Sequence, residues 1–233
     1  METMKGLAVV AVLAVTAIAT PAGEAGDMTA HVHWLGHDTF RFDGPPVVYV
    51  DPFKLPAGAL PADLILITHD HFDHCSPEDV KAIRTAKTVV VAPRAAADKL
   101  PGPVEVIAPG QEKTVLGVKL KAVPAYNTDK QFHPKAAGLV GYVFTLAGTT
   151  YYHAGDTDDI PEMAGLAPDV ALLPVSGTYV MTADEAAAAA RAIKPKATIP
   201  MHYGSIVGDD GDARRFAKLL EGSGITVVIK QKE

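Results

Sequence analysis

Apolar residues occur along the chain in short blocks, separated by Gly, Pro and Asp. Blocks of this length, rich in β-branched residues, are typical of strands. The block from Leu64 to Ile67 is continuously aliphatic, which predicts a strand buried on both faces of a sheet. In chain order, strands are predicted at His31–Trp34, Thr39–Phe42, Val47–Val50, Leu64–Thr68, Thr88–Ala92, Val104–Ile107, Lys119–Val123, Tyr142–Leu146, Thr149–His153, Val170–Leu173, Ala197–Ile199 and Thr226–Ile229.

Three helix starts carry capping signals, in which a polar residue precedes the first turn and an acidic residue or a proline follows. They lie at Ser76, at Thr182 and at Asp209 or Asp210, and the last helix is expected to end near Leu220, before Gly222. Strands with helices between them predict an α/β protein. The expected architecture is a four-layer αββα sandwich, in which helices cover the outer faces of two sheets.

The first 25 residues differ from the rest in composition. Gly6–Ala19 is an unbroken apolar run preceded by Lys5 and followed by small residues. This is typical of a secretory signal, and the run is shorter than the ~20 residues that usually span a bilayer. We expect cleavage after Ala19 or Ala25, a periplasmic or extracellular location, and no stable membrane anchor afterwards. A buried helix or a retained anchor is the alternative. Residues 26–233 are expected to form a single domain.

Composition narrows the class of protein. The chain has 233 residues and a formal net charge of −6 at pH 7, unlike the basic proteins that bind nucleic acids without specificity. Its only cysteine, Cys75, excludes an intramolecular disulfide, so stability must come from core packing. Cys75 follows a group of histidines and is expected to be a packed small residue, or else a neighbour of a metal.

Residues 68–75, THDHFDHC, hold three of the nine histidines of the chain. Side chains two apart on an extended segment point the same way, so His69 and His71 can converge just past the preceding strand. Asp73 and His74 follow. Imidazole and carboxylate groups bind Zn²⁺ and similar ions, and these four exceed what one ion readily takes from so short a segment. The pattern predicts two adjacent metal ions. A solvated polar loop is the alternative.

Two later segments end predicted strands with the same kinds of side chain. Asp156 follows Gly155, which permits a sharp turn, and its carboxylate could bridge two cations. His202 also lies just after a predicted strand. Ligands gather at the carboxyl ends of strands in α/β sheets, so both side chains are expected to meet the histidine cluster. Asp158 and Asp159 are instead expected in an exposed turn or at a helix N-terminus.

These segments resemble the motifs of the metallo-β-lactamase superfamily of metal-dependent hydrolases. THDHFDH corresponds to its H-x-H-x-D-H motif, HAGDT to the segment with a bridging aspartate, and PMHYG to the segment with the last histidine. WLGHDTF and VVYVDPF are similar to its opening strands. The resemblance covers essentially the whole chain after the signal segment. Within the superfamily, the chain resembles the branch of small single-domain hydrolases that includes ascorbate-phosphate lactonase-like proteins.

The resemblance implies an αββα sandwich with two divalent ions, zinc in the first place, with manganese or iron as alternatives. It implies that the metal ligands are His69 and His71 for the first ion, Asp73, His74 and His202 for the second, and Asp156 as a bridge between them. Asp73 and Asp156 are also the expected catalytic residues, which would orient a metal-activated hydroxide for attack on a carbonyl or phosphoryl centre.

One position departs from the superfamily pattern. A further histidine usually lies between the first motif and the bridging aspartate, where it completes the ligands of the first metal. By alignment, Asn127 stands at that position here, and His133 is the only histidine nearby. Either His133 reaches in from a longer loop, which is the interpretation we favour, or the first site lacks one protein ligand.

The resemblance also narrows the reaction. His71 stands where redox di-iron relatives have glutamate, and Asp156 is typically absent from true β-lactamases. The chain has no room for the helical domain of related thioesterases, and no G-x-S-x-G or phosphate-binding glycine loop is present. The expected function is an exported hydrolase of a small ester, lactone or phosphodiester. The alternatives are a non-catalytic exported metal-binding protein and a phosphodiesterase or nuclease.

Three residues are candidates for contact with the substrate: His37 in the opening GH pair, Asn127 and Tyr179. His37 could equally be a structural loop residue, and tyrosines such as Tyr179 often serve packing. The expected partner is a small molecule, with no nucleic acid. The sequence leaves the oligomeric state open.

Overall fold

Two mixed β-sheets form the centre of the protein in the computed structural model, which describes residues 22–233. The first has six strands in chain order: β1 Val32–Gly36, β2 Thr39–Phe42, β3 Val48–Val50, β4 Ala62–Leu66, β5 Arg84–Ala92 and β6 Glu105–Val106. The second has seven strands, whose neighbours in the sheet are also consecutive in the chain: β7 Glu112–Val115, β8 Val118–Pro124, β9 Val140–Leu146, β10 Thr149–His153, β11 Val170–Pro174, β12 Ala197–Met201 and β13 Thr226–Val227.

Each sheet begins with antiparallel neighbours and continues with parallel strands. Strands β1 to β3 pair antiparallel, whereas β3 to β6 pair parallel. In the second sheet, β7 to β10 are antiparallel and β10 to β13 are parallel. The two halves of the chain therefore build two sheets of similar layout.

The helices are α1 Ala22–Thr29, α2 Pro77–Ile83, α3 Arg94–Ala97, α4 Ala183–Ile193 and α5 Asp210–Leu219, with 3-10 turns at Lys135–Ala137 and Pro161–Met163. The three predicted helix starts are confirmed. The Ser76 hydroxyl accepts a hydrogen bond from the backbone NH of Asp79. Thr182 and Asp209 each form a reciprocal capping box with the acidic residue three positions later. These bonds satisfy amides that would otherwise lack an acceptor at the first turn.

Alternate residues of β4 enter different layers. Leu64 and Leu66 belong to the core that includes residues of both sheets, whereas Ile65 and Ile67 pack with residues of α2 and α3 on the outer face of the first sheet. Helices α4 and α5 pack on the second sheet. Since both faces of each sheet centre are covered, the central strands are mostly apolar, as in Leu64–Leu66 of β4. The predicted four-layer αββα sandwich is confirmed.

Helix α1, strand β7, helix α3 and the two 3-10 turns were not predicted. Both β7 and α3 lack the signals used to find the other elements. Strand β7 is an edge strand of mostly polar residues, joined to β8 by Leu116 and Gly117, both at positive φ. This two-residue turn lacks the Asn-Gly or Asp-Gly pair that commonly marks such hairpins. Helix α3 is a single turn without a side-chain cap. Strand β5 begins at Arg84, four residues earlier than predicted. Its first residues are largely exposed and polar, so they lack the apolar pattern that predicted the rest of the strand.

The predicted signal, residues 1–25, lies outside the described residues except for residues 22–25, which open α1. The end of α1 is tied to the domain, since the Tyr151 hydroxyl donates to the carbonyl of Met28 at 3.0 Å and Lys230 donates to that of Thr29 at 2.7 Å. Within residues 22–233, we find no helix with the length and apolar character needed to cross a bilayer.

A buried tyrosine joins the two sheets next to the histidine cluster. The hydroxyl of Tyr142, on β9, donates at 2.8 Å to the carbonyl of Ile67, two residues before His69. Substitution Tyr142→Phe leaves that buried carbonyl without this donor, so we expect the free energy of unfolding to fall by about 1–3 kcal/mol. Urea unfolding measures it, and an unchanged midpoint would contradict the bond's role. Thr145→Val, which removes a partly buried hydroxyl from the same strand, is the control.

Candidate metal centre

The predicted site residues lie at the carboxyl ends of strands. His69 follows β4, Asp156 follows β10 and His202 follows β12. Gly155 makes the turn into Asp156 at a φ of +64°, and a Cβ there would lie 3.1 Å from the carbonyl oxygen of Val140. A larger residue would therefore be strained in this conformation and crowded against the backbone.

Three imidazoles form the first cluster, made of His69, His71 and His133. The Nδ1 atom of His71 lies 3.1 Å from Nε2 of His69 and 3.3 Å from Nε2 of His133. The three nitrogens all lie within 4.8 Å of one another. They could hold one metal ion in a trigonal set, and imidazole suits zinc and other transition metals. The structure thus brings His133, and not Asn127, to His69 and His71.

Asn127 lies behind His133 and holds its loop. Its side-chain oxygen accepts from the backbone NH of His133 at 2.9 Å and lies 3.2 Å from Nδ1 of the ring. Its amide group donates to the carbonyl of Tyr179 at 2.9 Å. With Nδ1 donating to Asn127, Nε2 of His133 faces His71 with its lone pair. Asn127 therefore positions the third imidazole of the first cluster.

The anchor of this loop corrects one expectation. Asp158 was expected in an exposed turn, but its side chain is buried. It accepts hydrogen bonds from the backbone NH of Thr128 at 2.8 Å, from the amide of Asn127 at 3.2 Å and from Lys130 at 2.7 Å. The carboxylate is buried because these donors and a cation compensate it. Asp159 is exposed, as expected.

The second cluster consists of Asp73, His74 and His202, with His37 beside them. One ligand atom from each lies within 4.8 Å of the others. Nε2 of His74 is 3.8 Å from Oδ2 of Asp73, and Nε2 of His37 is 3.1 Å from the same oxygen. Two or three imidazoles and a carboxylate form a second donor set for a divalent ion.

Asp156 lies between the two clusters. Its Oδ2 atom is 3.3 Å from Nε2 of His133 and 3.2 Å from Nε2 of His202, and it is 3.9 Å from Nε2 of His69. Its Oδ1 atom is 3.4 Å from Nε2 of His74. One carboxylate thus reaches both donor sets, which is the geometry of a group that could bridge two cations.

The electrostatics of the centre favour positive charge beside Asp156. Burial acts to raise the pKa of the Asp156 carboxyl, but His202 and His74 outweigh it and hold that pKa well below its ordinary value. Burial likewise acts to lower the pKa of His74, which Asp156 and Asp51 raise well above the usual range. A divalent ion held by these groups would supply the positive charge that the protonated imidazoles supply otherwise.

In the first cluster, burial favours the neutral form of two imidazoles, those of His69 and His71. Burial holds the pKa of His69 well below, and that of His71 below, the ordinary value for histidine. Both imidazoles are therefore neutral at pH 7, which is the form that binds metal ions.

Two buried atoms show that the residues fit a metal. Among the described residues, Nε2 of His74 and Oδ1 of Asp156 are buried without a hydrogen-bond partner. A buried polar atom left unpaired costs about 1–3 kcal/mol. The two atoms lie 3.4 Å apart, and a cation bound beside them would contact both.

Hydrogen bonds from neighbouring residues fix the histidine tautomers. The Thr68 hydroxyl donates its one proton to Asp51, so it accepts from Nδ1 of His69 at 2.9 Å. Nδ1 of His74 donates to Oδ2 of Asp51 at 2.9 Å. When the rings are neutral, as they are when they bind a metal ion, Nε2 of each has a lone pair directed at the centre.

These supporting residues were not predicted from the sequence: Thr68, Asp51 and Ser176. Asp51 has a signal in the sequence, because it follows a strand in VVYVDPF just as Asp156 follows one in YYHAGDT. The Ser176 hydroxyl lies 2.8 Å from Nδ1 of His202 but has no comparable sequence signal, because its role depends on the parallel pairing of β11 with β12.

Three residues of the centre have left-handed backbone conformations. The φ angles are +52° for His37, +45° for Asp51 and +62° for His202. Non-glycine residues seldom adopt such angles, and those that do cluster at functional sites, where the surrounding structure holds them. The carbonyl of His37 accepts from the indole of Trp34 at 2.8 Å and from the backbone NH of His202 at 3.2 Å.

A cavity of about 280 Å³ opens over the centre. Asp73, Asp156 and three of the histidines form its floor, and its wall is apolar, formed by Phe72, Phe132, Tyr179 and Ile206. Of the three predicted substrate contacts, the structure places Tyr179 in this wall. His37 and Asn127 are buried behind the lining residues and act on Asp73 and His133 instead.

Cys75 packs in the outer core of the first sheet, with Val80 and Ile83 of α2. Its thiol lies 3.7 Å from the carbonyl oxygen of Ala96. Burial raises the pKa of the thiol to about 12, so the thiolate that would bind a metal is disfavoured. Of the two roles considered for Cys75, the structure favours packing.

Comparisons with known proteins agree with this geometry. Residues 31–202 match the model of the family described as the beta-lactamase superfamily domain. The UPF0173 metal-dependent hydrolase of Thermococcus onnurineus is 34% identical over 87% of this chain and 97% of its own length. The UPF0173 metal-dependent hydrolase of Thermoplasma acidophilum is 35% identical, over 86% of this chain and 95% of its own length.

A solved structure is similar in both fold and sequence. The crystal structure of a protein from Parabacteroides distasonis, described as a metal-dependent hydrolase, superposes with a TM-score of 0.79 and 35% identity, covering 87% of this chain and 93% of its own. The match of sequence and fold extends across nearly the whole described chain. The chain belongs to the metallo-β-lactamase superfamily of metal-dependent hydrolases.

Proposed function

We propose that this protein hydrolyses a small ester, lactone or phosphodiester with two divalent ions, zinc in the first place and manganese or iron as alternatives. The observation that carries the proposal is the position of Asp156. Its two carboxylate oxygens reach two separate donor sets, with Nε2 of His133 3.3 Å from one oxygen and Nε2 of His74 3.4 Å from the other.

The chain's own residues divide into two ligand sets and a bridge. His69, His71 and His133 would hold the first ion, and Asp73, His74 and His202 the second, with Asp156 shared. When bound, such ions supply an activated water molecule and polarise the carbonyl or phosphoryl oxygen of the substrate. Asp73 and Asp156 line the cavity, so their carboxylates can accept hydrogen bonds from a water molecule there and orient it.

The nature of the cavity supports a small substrate over a nucleic acid. Its lining, within the described chain, contains no lysine or arginine, and the formal net charge of the chain is −6. A nuclease would need basic side chains along the phosphate backbone. A non-catalytic metal-binding protein, by contrast, would hold the ions without turnover.

The proposed function is tested by removing and restoring the metal. Dialysis against a strong chelator is expected to abolish turnover on whichever member of an ester, lactone and phosphodiester panel the protein hydrolyses, and Zn²⁺ or Mn²⁺ should restore it. Elemental analysis should give about two ions per chain, the number a bridging carboxylate serves. Unchanged turnover after exhaustive chelation would overturn the proposal, and two bound ions without turnover on any substrate would favour the binding protein.

We also propose that the protein is exported to the periplasm or the extracellular space. The support is the basic residue, apolar run and small residues within the first 25 positions. Mass spectrometry of the protein from its native host is expected to find Thr20 or Gly26 at the mature N-terminus. A chain that keeps residues 1–19 would contradict cleavage.

A further inference from the structure

Exposed apolar side chains of the described residues gather at the mouth of the cavity. Six large apolar side chains of the described chain are exposed. Three of them, Phe72, Phe132 and Ile206, line this one cavity. Phe72 is 69% exposed and Phe132 is 49% exposed. Single exposed apolar residues are ordinary, whereas several around one concave site indicate a binding surface.

Two of these side chains are adjacent in the chain to proposed ligands. Phe72 stands between His71 and Asp73, and Phe132 directly precedes His133. The backbone that positions a ligand therefore also positions an aromatic ring at the mouth. The apolar wall cannot move far from the metal centre, so a molecule bound at the ions must lie against it.

Aromatic contacts support both rings. The Phe132 ring meets that of Tyr179 edge to face, with centroids 4.6 Å apart at 90°. The Phe72 ring meets that of Phe53 in a similar arrangement at 5.8 Å. Such pairs are favourable arrangements of aromatic rings. Phe72 and Phe132 are thus exposed but supported, which suits a preformed wall.

Charge disfavours an anionic group at this wall. The described lining carries two carboxylates, Asp73 and Asp156, and no lysine or arginine. Lys130, near Phe132 in the chain, already donates to Asp158 at 2.7 Å and to Asp129 at 3.0 Å. A substrate group beyond the ions would find apolar carbon and no free cation among these residues.

We propose that the cavity takes a neutral ester or lactone whose non-reacting part is apolar, with Phe72, Phe132, Tyr179 and Ile206 as the residues that determine specificity. The inference rests on the proposed function for the ions that hold the reacting group. Its size limit follows from the volume. An apolar cavity of about 150 Å³ holds benzene, so 280 Å³ accommodates a metal-binding head with one aromatic ring or a short alkyl chain.

The test measures binding, with probes that share one metal-binding head. Isothermal titration of the zinc-loaded protein would compare acetohydroxamate with hexanohydroxamate and benzohydroxamate. A fully buried methylene is worth about fourfold in affinity. With the tail partly buried, we expect hexanohydroxamate to bind at least about tenfold more tightly than acetohydroxamate. The quantity compared is the ratio of the two dissociation constants, in which changes at the metals cancel.

Variants of the two exposed rings assign the effect to the wall. Phe72→Ala and Phe132→Ala are each expected to lower that ratio by about threefold or more, since each removes part of the buried contact. Phe72→Leu and Phe132→Leu should largely keep it. Leu60→Ala, at a residue that is 49% exposed outside the cavity, is the matched control and should leave the ratio unchanged.

Three other outcomes would contradict the inference. Equal affinity for the three hydroxamates would overturn the inference and leave the metal centre standing. Failure of all three to bind would overturn both the inference and the proposed function. A wild-type dimer in sedimentation that both alanine variants dissociate would show that the wall packs against a second copy of the chain, and would overturn its assignment to substrate.

Discussion

Substitution Asp156→Asn is expected to reduce kcat/KM by about three orders of magnitude, on the scale of losing a group that stabilises developing charge. The side chain keeps its shape but loses its charge and one of its two oxygens. Asp156 reaches His133 and His202 through one oxygen and His74 through the other. Because these contacts reach both donor sets, both ions should be held less tightly.

Metal affinity separates this interpretation from a loss of folding. Because an ion that binds only the folded state raises its stability, the wild type should show a large zinc-dependent rise in Tm, and Asp156→Asn a much smaller one. Asp159→Asn makes the same chemical change three residues later, at an exposed position, and should behave as the wild type does. Two ions bound with wild-type affinity by Asp156→Asn would contradict its bridging position.

The fold could be predicted largely because its strands are buried on both faces. Leu64–Ile67, at the end of β4, is continuously aliphatic because helices cover one face and the other sheet covers the second. The helices that flank the sheets could be predicted because their first turns carry local capping residues, Ser76, Thr182 and Asp209. The edge strand β7 could not be found in this way, since it is polar and its turn at Leu116 and Gly117 gives no local signal.

The site was predictable where its chemistry is local. His69 to His74 lie within six positions, and Asp156 and His202 each follow a strand. The residues that the sequence did not reveal act through long-range hydrogen bonds. Asp51 is 23 positions from His74, and Ser176 is 26 positions from His202. Only the register of the two sheets brings these partners together.

The path of the loop after β8 is the clearest example of this limit. Residues 125–139 return so that the backbone NH of Asn127 donates to the carbonyl of His133 at 2.8 Å. No local pattern states that a histidine six positions on will face the centre. The buried Asp158, in the segment between β10 and β11, holds this loop through hydrogen bonds to residues about 30 positions away.

Substitution Asn127→Ala is expected to lower the affinity for the first ion about 10–100-fold, the usual cost of losing a group that orients a metal-bound histidine. Asn127 accepts from the backbone of His133 at 2.9 Å and also contacts the ring nitrogen that faces away from the centre. Without it, the backbone NH of His133 loses its acceptor and the ring keeps only the carbonyl of Tyr179, 3.2 Å from Nδ1, so Nε2 is held less firmly beside His71. The second ion should bind as before, since Asp73, His74 and His202 are untouched.

Zinc titration against a competing chelator would measure the two affinities separately. His133→Ala gives the largest effect to be expected, because it removes the imidazole and should abolish binding of the first ion. Gln131→Ala changes an exposed residue of the same loop and should change neither affinity. Weakening of both ions to the same extent by Asn127→Ala would show that the loop is merely destabilised. Selective weakening of the first would show that this chain uses a distant loop histidine, held by Asn127, where the superfamily pattern has a histidine at position 127 itself.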